Sequence, residues 1–106
     1  MATAGSRRFT DDAESVRLPP HSVESEQAVL GGLMLDAAAW DAVADIVQAG
    51  DFYRRDHQLI FEAIAELIEN RSPCDAITIF EALGRKGLAD EAGGLAYLAR
   101  LARDTP

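Results

Sequence analysis

Five stretches of this chain set apolar residues three and four positions apart, and no stretch alternates them over five residues. Spacing near 3.6 residues lines side chains along one stripe of a helix, whereas a half-buried strand needs a period of two. The fold class expected is therefore all-α, and the punctuation between the stretches says how many helices there are. Ser22 stands where a side-chain oxygen can accept the free N–H groups of a helix start, and Glu24 and Glu26 follow in the first turn, where carboxylates meet the positive end of the dipole. This first helix runs to about Leu35 with Val29, Leu30, Leu33 and Met34 on one face. Inside it, Gly31 and Gly32 each cost about 1 kcal/mol relative to alanine, so the pair points to close backbone packing or to a helix boundary.

Asp36 can cap a second helix in which Trp40, Val43, Ala44 and Val47 fall at i, i+3, i+4 and i+7, with Gly50 as the stop. Phe52 and Tyr53 in the following linker are expected to pin the turn. A third helix, from about Arg55 to Glu69, carries Ile60, Ile64, Leu67 and Ile68 on one stripe with Phe61 beside it, the pattern of a central helix. Arg71-Ser72-Pro73 breaks it. Asp75 then caps a fourth helix with Ala76, Ile79, Phe80 and Leu83 inward, ended by Gly84 or Gly87. Ala92-Gly93-Gly94 opens a fifth, Leu95 to about Arg103, with two apolar stripes: Leu95, Leu98, Ala99 and Ala102 on one side, Tyr97 and Leu101 on the other. The result is a compact bundle of about five short helices.

Residues 1–17 are small, polar and charged without apolar period, the composition of a flexible tail. Leu18-Pro19-Pro20-His21 forces extended backbone, so one helical domain is expected over residues 18–106. Eighteen acidic against ten basic residues give a formal charge of -8. Binding to a phosphate backbone depends on Lys and Arg displacing counterions, so strong DNA binding by this chain is not expected. The single Cys74 excludes an intramolecular disulfide and fits a reducing compartment, and no apolar run suits a signal peptide or a membrane span, so a soluble, cytoplasmic protein is expected.

The chain has no GxxxxGK[ST] phosphate loop, and His21 and His57 fall in no metal-ligand spacing, so neither a catalytic residue, a metal nor a cofactor is assigned to it. His21 belongs to a helix start, and His57, three and four residues before Ile60 and Phe61, reads as a rim residue of the core. Cys74, beside Pro73 and Asp75, reads as a tolerated thiol at a helix start. Glu24, Glu26, Glu62, Glu66 and Glu69 are most simply solvated surface and dipole partners. Tyr97 is divided between a satisfied core tyrosine and an interface residue, since it lies off the main stripe of its helix and joins a large contact area to a polar tip.

Three segments carry a resemblance: LPPHSVESEQAVLGGLMLD (18 to 36), DFYRRDHQLIF (51 to 61) and GGLAYL (93 to 98). In this order and spacing they resemble the N-terminal domain of DnaB-type bacterial replicative helicases, over residues 18 to 106. The resemblance implies a non-catalytic helical domain that contributes to the collar of a hexamer and docks the C-terminal domain of primase, in some bacteria the helicase loader, and other subunits. It implies ATP hydrolysis, with ATP and Mg, in a RecA-like motor further along a longer chain. The family's primase contacts match Glu24 and Tyr97, and the second face of the fifth helix adds Leu101 as a partner-binding residue. The family domain also continues into a helical hairpin that pairs subunits, and this sequence stops before it at Pro106. Two other readings are a helicase-binding domain of primase, which has a similar helical fold, and a small helical enzyme. The Pro-Pro-His-Ser start speaks against the first, and the missing nucleophile, metal set and phosphate loop against the second.

Overall fold

In the computed structural model, which describes residues 22–104, Ser22 caps the first helix as its position predicts: its side chain accepts the Ser25 N–H at 3.2 Å. The expected tail of residues 1–17, the Leu18-Pro19-Pro20 lead and His21 lie outside the described residues. Five α-helices follow, α1 (Val23–Leu35), α2 (Trp40–Ala44), α3 (Arg55–Glu69), α4 (Ala76–Arg85) and α5 (Gly94–Arg103), with no strand among the described residues. α1 runs unbroken through Gly31 and Gly32, and Gly31 is buried.

α3 is the centre of the bundle and packs against both α1 and α4, while α5 packs against α4 and α1 and closes the ring. Its buried stripe is Leu59, Ile60, Phe61, Ala63, Ile64 and Leu67, joined by Ile79, Ala82 and Leu83 of α4. Each large aliphatic taken fully out of water stabilises the fold by about 1.5–3 kcal/mol before ordering costs. An aromatic group closes one end of this core. Phe61 lies 5.3 Å from Trp40 and 5.0 Å from Phe52, ring centroid to ring centroid, both tilted. Phe52 thus pins the linker as expected, and Tyr53, whose ring is exposed, ties it through its backbone N–H to Glu26.

The segment from Asp36 to Gly50 is not one helix. It divides into a 3-10 turn at Ala37–Ala39, the short α2, and a second 3-10 turn at Ala49–Asp51. The cause is local competition by carboxylates for backbone donors. Asp36 accepts the Ala38 N–H at 3.1 Å, and Asp51 accepts the Gln48 N–H at 2.8 Å. Trp40 and Val47 still reach the core, so the periodicity identified the buried side and overran the helix length.

The breaks around α3 and α4 fall where the sequence puts them. After α3, Arg71 takes a left-handed conformation (φ 59°), and Ser72 N–H donates back to Leu67 C=O at 2.8 Å. Asp75 caps α4 by accepting the Thr78 N–H at 2.8 Å, and the Thr78 hydroxyl accepts the Asp75 N–H at 2.9 Å. Gly87, not Gly84, supplies the left-handed residue that ends α4. The two stripes of α5 are covered unequally. Leu98 of the first expected stripe and Leu101 of the second are buried, whereas Leu95 and Ala99 of the first face outward.

Candidate functional site

α1 and α5 lie side by side and leave a cleft of about 310 Å³ between them, lined by Glu24, Gln27 and Ala28 of α1 and by Tyr97, Arg100, Leu101 and Asp104 at α5 and its end. The three candidate partner-binding residues, Glu24, Tyr97 and Leu101, therefore share one cleft although 73 residues separate the first from the second. They contribute differently. Glu24 is exposed at the rim, Tyr97 is half-buried, and Leu101 is buried, presenting an edge to the cleft and the rest to the core. Two carboxylates, one guanidinium, one amide and an apolar floor give the cleft the mixed character of a protein-binding patch.

Beneath the cleft lies a polar chain that periodicity did not identify. Glu26 is 1% exposed and His57 is 0% exposed, against the expectations of a solvated glutamate and a rim histidine. Glu26 falls on the inner face because it precedes Leu30 by four and Leu33 by seven residues on α1. The His57 Nδ1 stands 2.6 Å from Glu26 Oε1, and its Nε2 stands 2.6 Å from the Tyr97 hydroxyl. The second carboxylate oxygen, Glu26 Oε2, accepts the Tyr53 N–H at 2.6 Å, and the Gln27 amide donates to the Tyr97 hydroxyl at 3.2 Å.

One assignment of hydrogens satisfies every member of this chain. His57 Nδ1–H donates to Glu26, the Tyr97 O–H donates to His57 Nε2, and the Tyr97 oxygen accepts from Gln27. Satisfaction matters here, because a buried polar group left without a partner costs about 1–3 kcal/mol and a buried charge more. Tyr97 thus fits the description of a satisfied tyrosine at its hydroxyl and that of a surface residue at its ring edge. Arg54 adds to its setting, with the guanidinium carbon 5.6 Å from the Tyr97 ring centroid and a bidentate pair to Asp56 that holds it there. That pair raises the Arg54 pKa, chiefly through the Asp56 hydrogen bond.

The helix start below α5 is shaped by the same ring. Gly93 has φ of 101°, and a Cβ at that position would stand 2.8 Å from Tyr97 Cδ2, so both the backbone and the neighbouring ring require glycine. Cys74 is remote from the cleft, half-buried at the start of α4, and its thiol is pushed up to about 11 by burial and then by Asp75. Among the described residues no group of three or more His, Cys, Asp and Glu could hold a metal, and no helix is long and apolar enough to cross a membrane.

With this geometry in hand, the comparisons with known proteins are specific. Residues 18–106 match the family model described as the DnaB-like helicase N-terminal domain. The chain is 53% identical over 91 residues to the replicative DNA helicase DnaB of Haemophilus influenzae, covering 86% of this chain and 19% of that protein. To the replicative DNA helicase DnaB of Buchnera aphidicola subsp. Schizaphis graminum it is 42% identical over 103 residues, 97% of this chain and 22% of that one. The crystal structure of the N-terminal domain of DnaB helicase from Mycobacterium tuberculosis matches with a TM-score of 0.79 at 39% identity, over 84% of this chain and 64% of that chain. The chain spans about a fifth of the length of the curated relatives it matches.

Proposed function

The chain belongs to the family of DnaB-like helicase N-terminal domains, and from that premise we propose that it is the non-catalytic, partner-docking part of a replicative helicase. In this reading it contributes to the collar of a hexamer, and the α1/α5 cleft receives the C-terminal domain of primase; a helicase loader and neighbouring subunits are further partners of the same domain. ATP, Mg and DNA translocation belong to a motor in the parent chain. DNA is not held by this domain itself, whose formal charge of -8 disfavours the phosphate backbone.

The observation that supports this reading is the convergence of Glu24, Tyr97 and Leu101 on one cleft of mixed polarity. Tyrosine suits such a place, because it buries a large rigid area while keeping a polar tip, and binding energy concentrates in a few residues of that kind. Truncating a central one costs about 2 kcal/mol or more, roughly thirtyfold in affinity. Glu24, exposed at the rim, is worth about 1 kcal/mol or less. Titration calorimetry with the primase C-terminal domain tests the assignment. Tyr97→Ala is expected to weaken binding roughly thirtyfold and Glu24→Ala less than tenfold. A stably folded Tyr97→Ala protein that binds as the parent does would overturn it.

A further inference from the structure

Resting on the docking reading above, we infer that Glu26 and His57 are positioning residues for the cleft: through Tyr97 they fix the shape that a partner meets. A carboxylate and an imidazole buried to 1% and 0% exposure are expensive, and an apolar pair of similar volume would fill the same space without desolvation. What the polar pair supplies is direction. Hydrocarbon packing tolerates a ring that slides or turns, whereas hydrogen bonds admit a narrow range of distance and angle.

The chain runs from a backbone N–H in the linker before α3 to the wall of the cleft. Tyr53 N–H holds Glu26, Glu26 holds His57, and His57 holds the Tyr97 hydroxyl, linking positions 31 and 40 residues apart in sequence. The imidazole and phenol rings lie within 7° of parallel with centroids 5.9 Å apart, and the Arg54 guanidinium stands over the Tyr97 ring. Gln27, itself part of the cleft lining, holds the same hydroxyl from the α1 side. Gly93 leaves room for the ring where any Cβ would push it aside. Tyr97 is thus held by partners from α1, the linker before α3 and α3 itself, packs against the start of α5, and lines the cleft. A side chain held in its bound orientation beforehand loses less freedom on docking, which is worth about threefold to tenfold in affinity.

The test separates positioning from plain core filling. An asparagine at position 57 keeps a polar atom near the Nδ1 position, toward Glu26, and removes the Nε2 partner of Tyr97. A glutamine reaches the Nε2 position instead. The chain has two tyrosines, so in protein labelled with 13C-tyrosine the exposed Tyr53 serves as the reference for the ring and hydroxyl signals of Tyr97. In the parent the hydrogen-bonded Tyr97 hydroxyl proton is expected to exchange slowly; His57→Asn is expected to lose that protection and about threefold to tenfold of the affinity for the primase C-terminal domain, and His57→Gln to regain most of both. Tyr97→Phe, which keeps the ring and removes the bonds to it, is expected to match His57→Asn in affinity. Parent-like binding by His57→Asn and Tyr97→Phe, beside a strong loss in Tyr97→Ala, overturns the positioning role and leaves the docking reading standing. Parent-like binding by Tyr97→Ala overturns the docking reading itself. Should His57→Asn not fold, Tyr97→Phe decides, and parent affinity in that variant overturns the inference.

Discussion

The α3/α4 side of the bundle and the junction of α1, α3 and α5 both have buried centres, filled by different chemistry. On the first, Ile60, Ile64, Ile79 and Leu83 pack hydrocarbon on hydrocarbon. In the second, a carboxylate, an imidazole and a phenol take the places that aliphatic side chains would occupy. The first side gains stability from area and density and is indifferent to small rotations of its members. The second depends on complete pairing, so removing one member strands the others. The cleft lies above the second, and the least adjustable part of the core therefore supports the surface assigned to partners.

Substitutions on either side break or sharpen this contrast. The largest loss is expected from Glu26→Ala, which leaves two buried donors, His57 Nδ1–H and the Tyr53 N–H, without their acceptor: about 2–6 kcal/mol by denaturant unfolding, at about 1–3 kcal/mol for each stranded donor. A loss under about 1 kcal/mol would mean that the junction repacks like hydrocarbon, and the contrast would fail. Ile64→Ala on the other side is expected to cost about 2–5 kcal/mol from lost transfer energy and a cavity. The two should also differ in binding, because Ile64→Ala, measured where it remains folded, should leave the affinity of the cleft near that of the parent.

Cys74 gives the smallest effect and probes the margin of the apolar side. Burial and the adjacent Asp75 push its thiol up to about 11, so the neutral form is favoured and the reactive thiolate is scarce at pH 8. Alkylation by iodoacetamide at pH 8 should be at least about tenfold slower than for an exposed peptide thiol, and should rise as pH climbs toward 11. A rate equal to that of the peptide would place Cys74 in open solvent and take it off the core.

How much of the molecule was legible in the sequence follows the same division. α3 runs from Arg55 to Glu69 as the stripe of Ile60, Ile64 and Leu67 predicts, and Ser22 and Asp75 cap where they should, because apolar period and capping are local signals. The single helix expected from Asp36 to Gly50 failed where Asp36 and Asp51 side chains took backbone donors, a competition that period counting does not register. α5 carried two stripes, and only the arrangement of α1 and α4 around it decided that Leu101 turns in and Leu95 turns out. Glu26 was expected at the solvated surface and His57 at the rim of the core, because charged and polar residue types default to the surface. A signal was present all the same. His57 precedes Ile60, Phe61 and Ile64 by three, four and seven positions, and Glu26 stands in the same relation to Leu30 and Leu33 at four and seven. A polar residue on a buried stripe asks for a partner, and each of these two is the other's. The family, by contrast, was legible in three short segments, and the match over residues 18–106 selects the helicase reading over that of a primase domain.

The central claim is that a partner docks on the α1/α5 junction and not on the α3/α4 side. Amide chemical shifts of the 15N-labelled protein, followed as primase C-terminal domain is added, test it most directly. Perturbations should centre on Glu24, Gln27, Tyr97 and Arg100 and fade toward α4. Perturbations centred on the exposed positions Glu62, Glu66, Ile77 and Glu81 of α3 and α4, with the cleft residues unmoved, would contradict the account.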